Sequence, residues 1–237
     1  NHGYIELGGF RLGRTDSLFT TMTNYAGDIL ADDIVPYGPF DTNQIAYTFT
    51  GGNGFSAAVA LEEGAGSVDL DGDGDADYDL YTIDSYVPHV VAGVAFTQGW
   101  GGISAVVGYD SNWEEWAGKV RLDVNATEAI SLWAMAGYKS GADDGDVFGP
   151  GTDNPNFYGQ WGGDWAVWGG AAFQINEKAK FNAQLSYDEA ENFAAVANVV
   201  YEVVPGFAVT PEVNYQDNFD EDDADGVGGW LRFRRSF

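Results

Sequence analysis

The densest group of chemically active side chains in the sequence is a run of alternating aspartates. Residues 69–80 read DLDGDGDADYDL, so acids recur at every second residue and Gly74 stands sixth. Calcium loops have this spacing, because alternating residues supply oxygen ligands and the glycine allows a sharp bend. The bidentate acid expected at the twelfth position is replaced by Leu80, and Asp79 comes one residue early. The candidate calcium ligands are Asp69, Asp71, Asp73, Asp75 and Asp77.

Two interpretations of this run stay open. A hard dication would relieve the repulsion among so many clustered carboxylates. Alternatively, the segment is a solvated, flexible loop whose aspartates hold no metal. Calcium is the only cofactor that these residues suggest, and the protein is not expected to require one.

Residues suited to catalysis are few and badly placed. His2 and His89 are the only histidines, and they lie on separate segments without a nucleophile motif nearby. The adjacent acids Glu62 and Glu63 would point to opposite faces of a strand, whereas a glycosidase needs two carboxylates that converge. The absence of cysteine excludes disulfides and cysteine zinc sites. We therefore expect no enzymatic activity.

The charge of the chain is extreme and unevenly distributed. Its 237 residues include 37 acids and 10 bases, which gives a net charge of −27 and excludes a general nucleic-acid binder. No base lies between Arg14 and Lys119, and the acids there cluster in Gly- and Asp-rich segments typical of loops. A uniformly acidic soluble surface would carry acids along its strands as well. The sequence has no apolar stretch of about 18 residues, the length that a membrane helix needs.

Stretches of about ten residues with alternating character recur along the chain, and each ends at Gly, Asn or Pro. This period of two predicts β-strands. A short helix is expected only in the loop that starts near Asp16. The predicted strands are 4–8, 10–14, 44–50, 55–62, 89–97, 102–110, 115–125, 129–138, 164–174, 180–188, 193–203, 207–215 and 229–237.

The connections between these strands alternate in length. Tight turns such as Gly8-Gly9 and Val204-Pro205-Gly206 alternate with connections that are mostly long, including 15–43, 63–88 and 139–163. In an up-and-down meander this places all tight turns at one end and the long acidic loops at the other. Outer-membrane barrels sort their loops in this way, whereas Greek-key sandwiches do not.

The two faces of the predicted strands differ in polarity. In 115–125 one face carries Trp116, Val120 and Leu122, and the other carries Lys119 and Arg121. An apolar face toward lipid and a polar face toward water explain this alternation in a membrane barrel. Aromatic residues near strand ends suit interfacial girdles. These aromatic residues are Tyr4, Tyr138, Trp165, Tyr187, Tyr201, Tyr215 and Trp230.

Several long segments, in order over nearly the whole chain, carry a family resemblance. They are GGFRLGRTDSLFT (8–20), IAYTFTGGNGFSAAVALE (45–62), PHVVAGVAFTQGWGGISAVVGYDS (88–111), EEWAGKVRLDVNAT (114–127), YGQWGGDWAVWGGAAF (158–173), VPGFAVTPEVNY (204–215) and WLRFRRSF (230–237). With these segments the sequence resembles the general porins of alphaproteobacteria, especially the rhizobial branch.

The resemblance implies an all-β, transmembrane, antiparallel up-and-down barrel of sixteen strands, here a single domain over 1–237. This chain would supply about thirteen strands, with the first three family strands preceding Asn1. It implies a homotrimer in the bacterial outer membrane, in contact with lipid and lipopolysaccharide. The implied function is passive diffusion of small hydrophilic solutes and ions. The family's third external loop folds inward and narrows the pore, and residues 15–43 occupy its position. Residues 63–88 then form an acidic external loop, and Phe237 resembles the C-terminal aromatic that the outer-membrane assembly machinery recognises.

The resemblance also implies where the pore charges lie. In these porins the inward loop carries acids and the opposing wall carries arginines, and the two sets create a transverse field. Arg14, in LGR before the loop, matches the family's wall arginine. The acids of the outer loops predict a modest cation preference, which the inner bases oppose. The implied pore residues are Arg11, Arg14, Asp16, Asp28, Asp32, Asp33, Asp41, Lys119, Arg121, Arg232 and Arg234.

Two alternatives remain beside the porin. One is a soluble, acidic, calcium-dependent β-sandwich that binds carbohydrate through Trp and Tyr side chains. The other is an outer-membrane barrel enzyme, which would need a Ser/His pair on one lumenal face. His89, at the start of a predicted strand, has no evident partner in the sequence.

Overall fold

Antiparallel strands dominate the protein, whose structure is a computed structural model describing residues 2–65, 67–68, 78–142 and 155–236. The strands are β1 (Gly3–Leu7), β2 (Phe10–Thr15), β3 (Thr42–Thr50), β4 (Phe55–Glu63), β5 (Ser67–Val68), β6 (Tyr78–Asp79), β7 (His89–Gln98), β8 (Gly101–Asp110), β9 (Glu115–Asn125), β10 (Ile130–Lys139), β11 (Trp165–Asn176), β12 (Ala179–Asp188), β13 (Asn192–Val204), β14 (Phe207–Asn218) and β15 (Gly226–Arg235).

Thirteen of these strands form one sheet in which each strand pairs with its neighbour in sequence. This up-and-down order confirms the predicted meander and its strand count. β5 and β6 form a separate two-stranded ribbon, which the sequence did not predict. Among the described residues β1 and β15 are the two edges of the sheet. The β-sandwich alternative is therefore wrong for the described part of the chain, because a sandwich needs two packed sheets.

Helical structure is confined to two short segments in the described ranges. α1 (Leu18–Thr21) lies in the long loop after β2, as the sequence predicted, and a 3₁₀ turn covers Gly52–Gly54. Ser17 caps α1, because its side chain accepts a hydrogen bond from the Phe19 backbone N–H. No helix in the described part of the protein has the length and apolar character needed to cross a membrane.

The predicted strand ends hold to within a few residues, and the largest difference lies at the last hairpin. β14 runs on to Asn218 and β15 begins at Gly226, so the loop between them is shorter than the predicted 216–228. Gln216 pairs with Gly226, which continues the ladder into a polar segment. Backbone pairing does not need the apolar alternation on which the prediction rested, so the strands extend beyond it.

The two faces of the sheet are chemically different, as the alternation predicted. In β9, Val120 and Leu122 on one face are 54% and 44% exposed. We call this the outer face, and we call the opposite face, against which the loop 16–41 packs, the inner face. Lys119 and Arg121 on the inner face are only 2% and 6% exposed. The outer face thus leaves its apolar side chains uncovered within this chain, as a lipid-facing surface does.

Aromatic side chains of the outer face form a row at the long-loop end of the sheet. The rings of Trp116 and Tyr138 lie 5.7 Å apart, and those of Trp165 and Tyr187 lie 5.9 Å apart. Such a row matches the aromatic girdle of outer-membrane barrels. For two residues the girdle prediction is wrong, because they lie on the inner face of the sheet. Tyr4 pairs with Gly13 and Trp230 pairs with Glu212, and both pairs have inner-face register.

One end of the sheet has only tight connections, and the long loops lie at the other end beside the short connections 111–114 and 189–191. The turn between β3 and β4 shows why these turns need glycine. Gly54 has a φ of +81°, and a Cβ there would lie 1.9 Å from the carbonyl oxygen of Thr97 on β7. Only glycine accepts both the left-handed conformation and this close approach.

Candidate functional site: the inward loop and its wall

The loop 16–41, which we call the inward loop, is fixed at its start by a buried glutamate of the sheet. Glu62 of β4 is 1% exposed. Its carboxylate accepts hydrogen bonds from the Ser17 hydroxyl at 2.6 Å and from the Leu18 backbone N–H at 2.7 Å. The Tyr158 hydroxyl also donates to it, at 3.3 Å. The first turn of α1 is thus bound to the inner face by charge-assisted hydrogen bonds.

Further along, inner-face side chains bind the backbone of the inward loop on both its outgoing and its returning course. The loop meets the wall from β3 to β14 and comes back to β3, so its path along the sheet is fixed at many points. The donors to its carbonyl oxygens are Gln44 to Asp16 (3.0 Å), Arg121 to Tyr25 (2.9 Å), Asn198 to Asp28 (2.9 Å), Gln184 to Asp32 (3.1 Å), Trp168 to Val35 (2.9 Å) and Lys119 to Tyr37 (2.5 Å).

The far end of the inward loop is held by Glu212 of β14. This carboxylate is 3% exposed and accepts the backbone N–H groups of Leu30 and Ala31 at 2.6 and 2.8 Å. Asn198 donates to the same carboxylate at 2.9 Å, and its own amide oxygen accepts from Asn182 at 2.9 Å. Three polar side chains on three neighbouring strands therefore form one connected support beneath the loop tip.

The two buried bases of β9 hold the loop from below. The Lys119 ammonium lies 4.5 Å from the Phe19 ring centroid while it donates to the loop backbone. The Arg121 guanidinium donates to Asp123 through Nε and Nη2 at 2.9 and 2.8 Å, and it lies 4.3 Å from the Trp133 ring centroid. Both bases are covered by the loop, so their described contacts are with the protein. Their implied role at the constriction stays a prediction.

The other candidate bases lie nearer the edges of the sheet. Arg11 is on the inner face and pairs with Glu6 at 2.7 Å. Arg14 pairs in register with Asn43, which places it on the same face as Leu12, the outer one. Its guanidinium lies 3.8 Å from the Asp41 carboxylate. Residues two apart share a face of a strand, so Arg14 lies on the outer face with Leu12. The resemblance implied a position on the lumenal wall, which is the inner face. Arg232 and Arg234 have inner-face register on β15.

The acids of the inward loop divide into covered and open groups. Asp16 is buried and accepts from the Tyr25 hydroxyl at 2.5 Å. Asp32 accepts from the Tyr37 hydroxyl, also at 2.5 Å, and burial raises the pKa of the Asp32 carboxyl. Burial likewise raises the pKa of the Tyr37 hydroxyl, and the Asp32 charge adds to that shift.

The remaining candidate acids of this loop are accessible. Asp33 is exposed, and Asp28 forms an ion pair of 3.2 Å with Lys180 of β12, a base that was not among the candidates. These two acids are therefore the open charges of the inward loop beside its covered ones.

Metal ligands within the described residues come together at one point. His2, Asp16 and Asp41 place ligand atoms within 4.8 Å of one another. The Asp16 carboxylate is already hydrogen-bonded to Tyr25 and to His2, and nothing else there points to an ion. The candidate calcium ligands Asp69, Asp71, Asp73, Asp75 and Asp77 lie outside the described residues, as does Phe237.

His89 has partners that the sequence did not reveal. Its Nδ1 accepts from the Ser111 backbone N–H at 3.0 Å and lies 3.3 Å from Asp110, while Nε2 lies 2.9 Å from the Tyr81 carbonyl. The Ser111 hydroxyl donates to the Val87 carbonyl at 2.8 Å. In a catalytic relay the serine and the acid would bind opposite ring nitrogens. Here both lie at Nδ1, so the cluster joins the outer loops rather than forming a relay.

The residues that sequence reasoning missed are the polar anchors of the wall. They are uncharged or singly acidic side chains at inner-face positions of strands, and their signal is a polar residue at a position where burial is expected. These anchors are Gln44, Glu62, Trp168, Gln184, Asn198 and Glu212.

One up-and-down sheet, an apolar outer face and a long loop bound to the polar inner face define the class of outer-membrane β-barrel channels. A family model described as "Porin subfamily" matches residues 1–232, and the chain belongs to this family of porins. This membership confirms the family resemblance and locates the protein in the bacterial outer membrane.

Two curated relatives show the extent of the similarity. Porin Omp2a of Brucella melitensis biotype 1 is 52% identical over 241 residues, which cover 99% of this chain and 60% of the relative. Porin Omp2b of Brucella neotomae is 50% identical, with 99% and 62% covered. The chain therefore spans about three fifths of the length of these relatives.

A solved structure shares the fold. The outer membrane channel DcaP of Acinetobacter baumannii superimposes with a TM-score of 0.70 at 20% identity, over 100% of this chain and 74% of that chain. At this identity the likeness concerns the fold alone. It is a channel fold that the described strands and their up-and-down order reproduce.

Proposed function

We propose that the protein forms a water-filled channel through the outer membrane for passive diffusion of small hydrophilic solutes and ions. The observation that carries the proposal is the inward loop, which polar side chains from β3 to β14 bind to the inner face. In a closed barrel, a loop bound in that place narrows the lumen that the inner face lines. The apolar outer face supports the same proposal, since it suits contact with lipid.

In this channel the constriction is bounded by the open charges of the loop and the wall. Asp28 and Asp33 supply the acidic side, and Lys180 with Arg234 supplies basic charge. Arg11, Arg232 and the covered pair of β9 contribute to the field at longer range. The acidic surplus of the chain gives a modest preference for cations. A reversal potential of the opposite sign across a salt gradient would refute that preference.

The whole protein is proposed to be a sixteen-stranded barrel that assembles as a homotrimer within lipid and lipopolysaccharide. The thirteen described strands of one open sheet are consistent with this assembly. Planar-bilayer recordings at high dilution test the trimer. Conductance steps that occur in threes support a trimer of pores, and single independent steps would contradict it.

The aspartate run is proposed as a calcium site in an outer loop. Its alternating carboxylates carry this proposal through their spacing alone. Calorimetry with CaCl₂ on the protein and on an Asp71→Asn, Asp73→Asn variant tests it. We expect the variant to lose the binding heat, and equal heats in both proteins would contradict the site.

The channel itself is tested by shortening the inward loop. Replacing residues 27–33 with a Gly-Ser linker removes the contacts to Glu212, and we expect a larger single-channel conductance in KCl. The matched control shortens the outer loop 219–225, which makes no described contact with the inward loop and should leave the conductance unchanged. A protein that conducts no ions, or a conductance indifferent to the inward loop, would overturn the proposal.

A further inference from the structure

A small polar pocket lies against the inner face directly beneath the tip of the inward loop. Its volume is about 250 Å³, and it is bounded by Gly27 and Asp28 of the loop and by residues of the four neighbouring strands β9 to β12. Pockets for drug-sized ligands measure about 300–1,000 Å³, so this one suits a smaller solute. We call it the sub-tip pocket.

The sub-tip pocket opens toward the short-turn end of the sheet. A second pocket, of about 560 Å³, shares Asn125, Ser131 and Lys180 with it and reaches Thr127 and Glu128 in the turn after β9. A solute that leaves the constriction could therefore pass through the sub-tip pocket into this second pocket, at the short-turn end of the sheet. The pocket lies along a path rather than in a closed cavity.

One buried hydrogen-bond acceptor in the sub-tip pocket has no donor. Asn182 is 2% exposed, and its amide nitrogen donates a hydrogen bond to the amide oxygen of Asn198. Among the residues that the structure describes, none donates a hydrogen bond to Asn182 Oδ1. Buried polar atoms in native proteins are almost always paired, so an orphaned acceptor on a residue that lines a pocket points to a donor supplied from outside.

Two exposed, opposite charges also line the sub-tip pocket. The other two charged residues that line it, Arg121 and Asp123, form an ion pair of 2.8 Å with each other. Lys180 shares the inner face of β12 with Asn182, two residues away, and its ammonium lies 3.2 Å from the Asp28 carboxylate. The two side chains are 37% and 55% exposed, so their ion pair is weak and open to exchange. A single ion would be attracted by one of these charges and repelled by the other. A solute that carries both charges would match both.

We propose that the sub-tip pocket is a binding subsite for small zwitterions of the free amino acid type. The solute's ammonium donates to Asn182 Oδ1 and faces Asp28, while its carboxylate pairs with Lys180. This inference rests on the proposed channel function, because the pocket is reached from the lumen. It adds a weak selectivity for dipolar solutes to a channel that otherwise discriminates by size and charge.

Two matched solutes test the inference in planar bilayers with the channel open in KCl. Glycine carries both charges and three N–H donors, whereas glycine betaine keeps the charges and has no N–H donor. We expect glycine to reduce the current in a saturable manner, with betaine requiring about tenfold higher concentration for the same effect. Equal potency of the two would overturn the subsite, and equal potency of glycerol would assign the pocket to polyols instead.

Variants locate the effect. Asn182→Leu and Lys180→Met should each raise the half-effect concentration of glycine by about tenfold. Lys178→Met, in the short turn before β12 and outside both pockets, should leave it unchanged. If Asn182→Leu does not insert, Lys180→Met alone decides. A conducting channel on which glycine has no effect refutes the subsite, whereas a protein without conductance refutes the proposed function.

Discussion

The Glu212 carboxylate accepts the backbone N–H of Leu30 at 2.6 Å, although 182 positions separate the two residues. This contact joins the far end of the inward loop to the penultimate strand of the sheet. Because Ala31 donates to the same buried carboxylate, the loop tip is held at two successive peptide groups. The position of the loop tip therefore depends in part on this one side chain of the wall.

We expect Glu212→Gln to loosen the loop tip. The amide keeps one acceptor oxygen but presents N–H groups where the carboxylate accepted hydrogen bonds, and bonds to a charged group contribute about 1.5–3 kcal/mol each. Amide hydrogen exchange at Leu30 and Ala31 should become roughly tenfold to hundredfold faster. Open-channel current noise should rise with it.

Glu202→Gln is the matched control for this experiment. The Glu202 carboxylate accepts the backbone N–H of Gly206 at 2.9 Å, in the short turn between β13 and β14. Its loss should leave exchange at the loop tip unaltered. Protection of Leu30 that is equal in the native protein and in Glu212→Gln would show that the anchor is dispensable.

Two lysines of the inner face should differ in their influence on ion selectivity. Lys119 is 2% exposed and covered by the inward loop, whereas the Lys180 side chain is 37% exposed. Charges near water-filled space act on passing ions, and covered charges act through the loop that screens them. Lys180→Met should therefore shift the reversal potential toward greater cation preference at least twice as far as Lys119→Met. A larger shift of the reversal potential in Lys119→Met would contradict this prediction and show that the covered lysine acts directly on passing ions.

The alternation of apolar and polar residues was sufficient to predict the strands of the sheet. Alternation over about ten residues and glycine in the tight turns identified all thirteen main strands, because side-chain direction in a strand is set locally. The same rule could have placed Arg14 correctly, since it stands two residues from Leu12 and shares its face. The wall position that the family resemblance implies for Arg14 takes no account of that parity.

The anchors of the inward loop could not be predicted in this way. Glu212 and Asn198 look like ordinary polar positions of an inner face, and only the path of a loop distant in sequence makes them contacts. For Lys119 the alternation predicted the correct face of the strand but not the loop that covers the side chain. Local pattern determines the direction of a side chain, whereas its burial here depends on long-range packing.

A glycine of β8 should be essential to the packing of the outer loops. Tyr158 is fully buried, and its ring lies 2.5 Å from the position that a Cβ on Gly108 would occupy. Gly108→Ala must displace the ring, and such overpacking costs about 1–3 kcal/mol. The melting temperature in detergent should fall by about 2–12 °C. Gly118→Ala is the control, because its nearest atom would lie at 3.4 Å. Equal melting temperatures for the two variants would contradict the close contact.

Acidification should strengthen the docking of the inward loop through Asp32. Burial raises the pKa of the Asp32 carboxyl above its ordinary value of 3.8, so the docked loop binds this proton more tightly than the undocked loop does. Between 3.8 and the raised pKa, the docked state therefore gains stability as the pH falls and loses it as the pH rises. Hydrogen exchange across residues 28–37 should slow as the pH is lowered from neutrality toward 3.8, after correction for intrinsic exchange rates. Asp32→Asn should remove the dependence, because its amide does not titrate. Asp33→Asn should weaken the dependence only in part, because burial contributes more than the Asp33 charge to the raised pKa of Asp32. A dependence that survives in Asp32→Asn would assign the effect to another group.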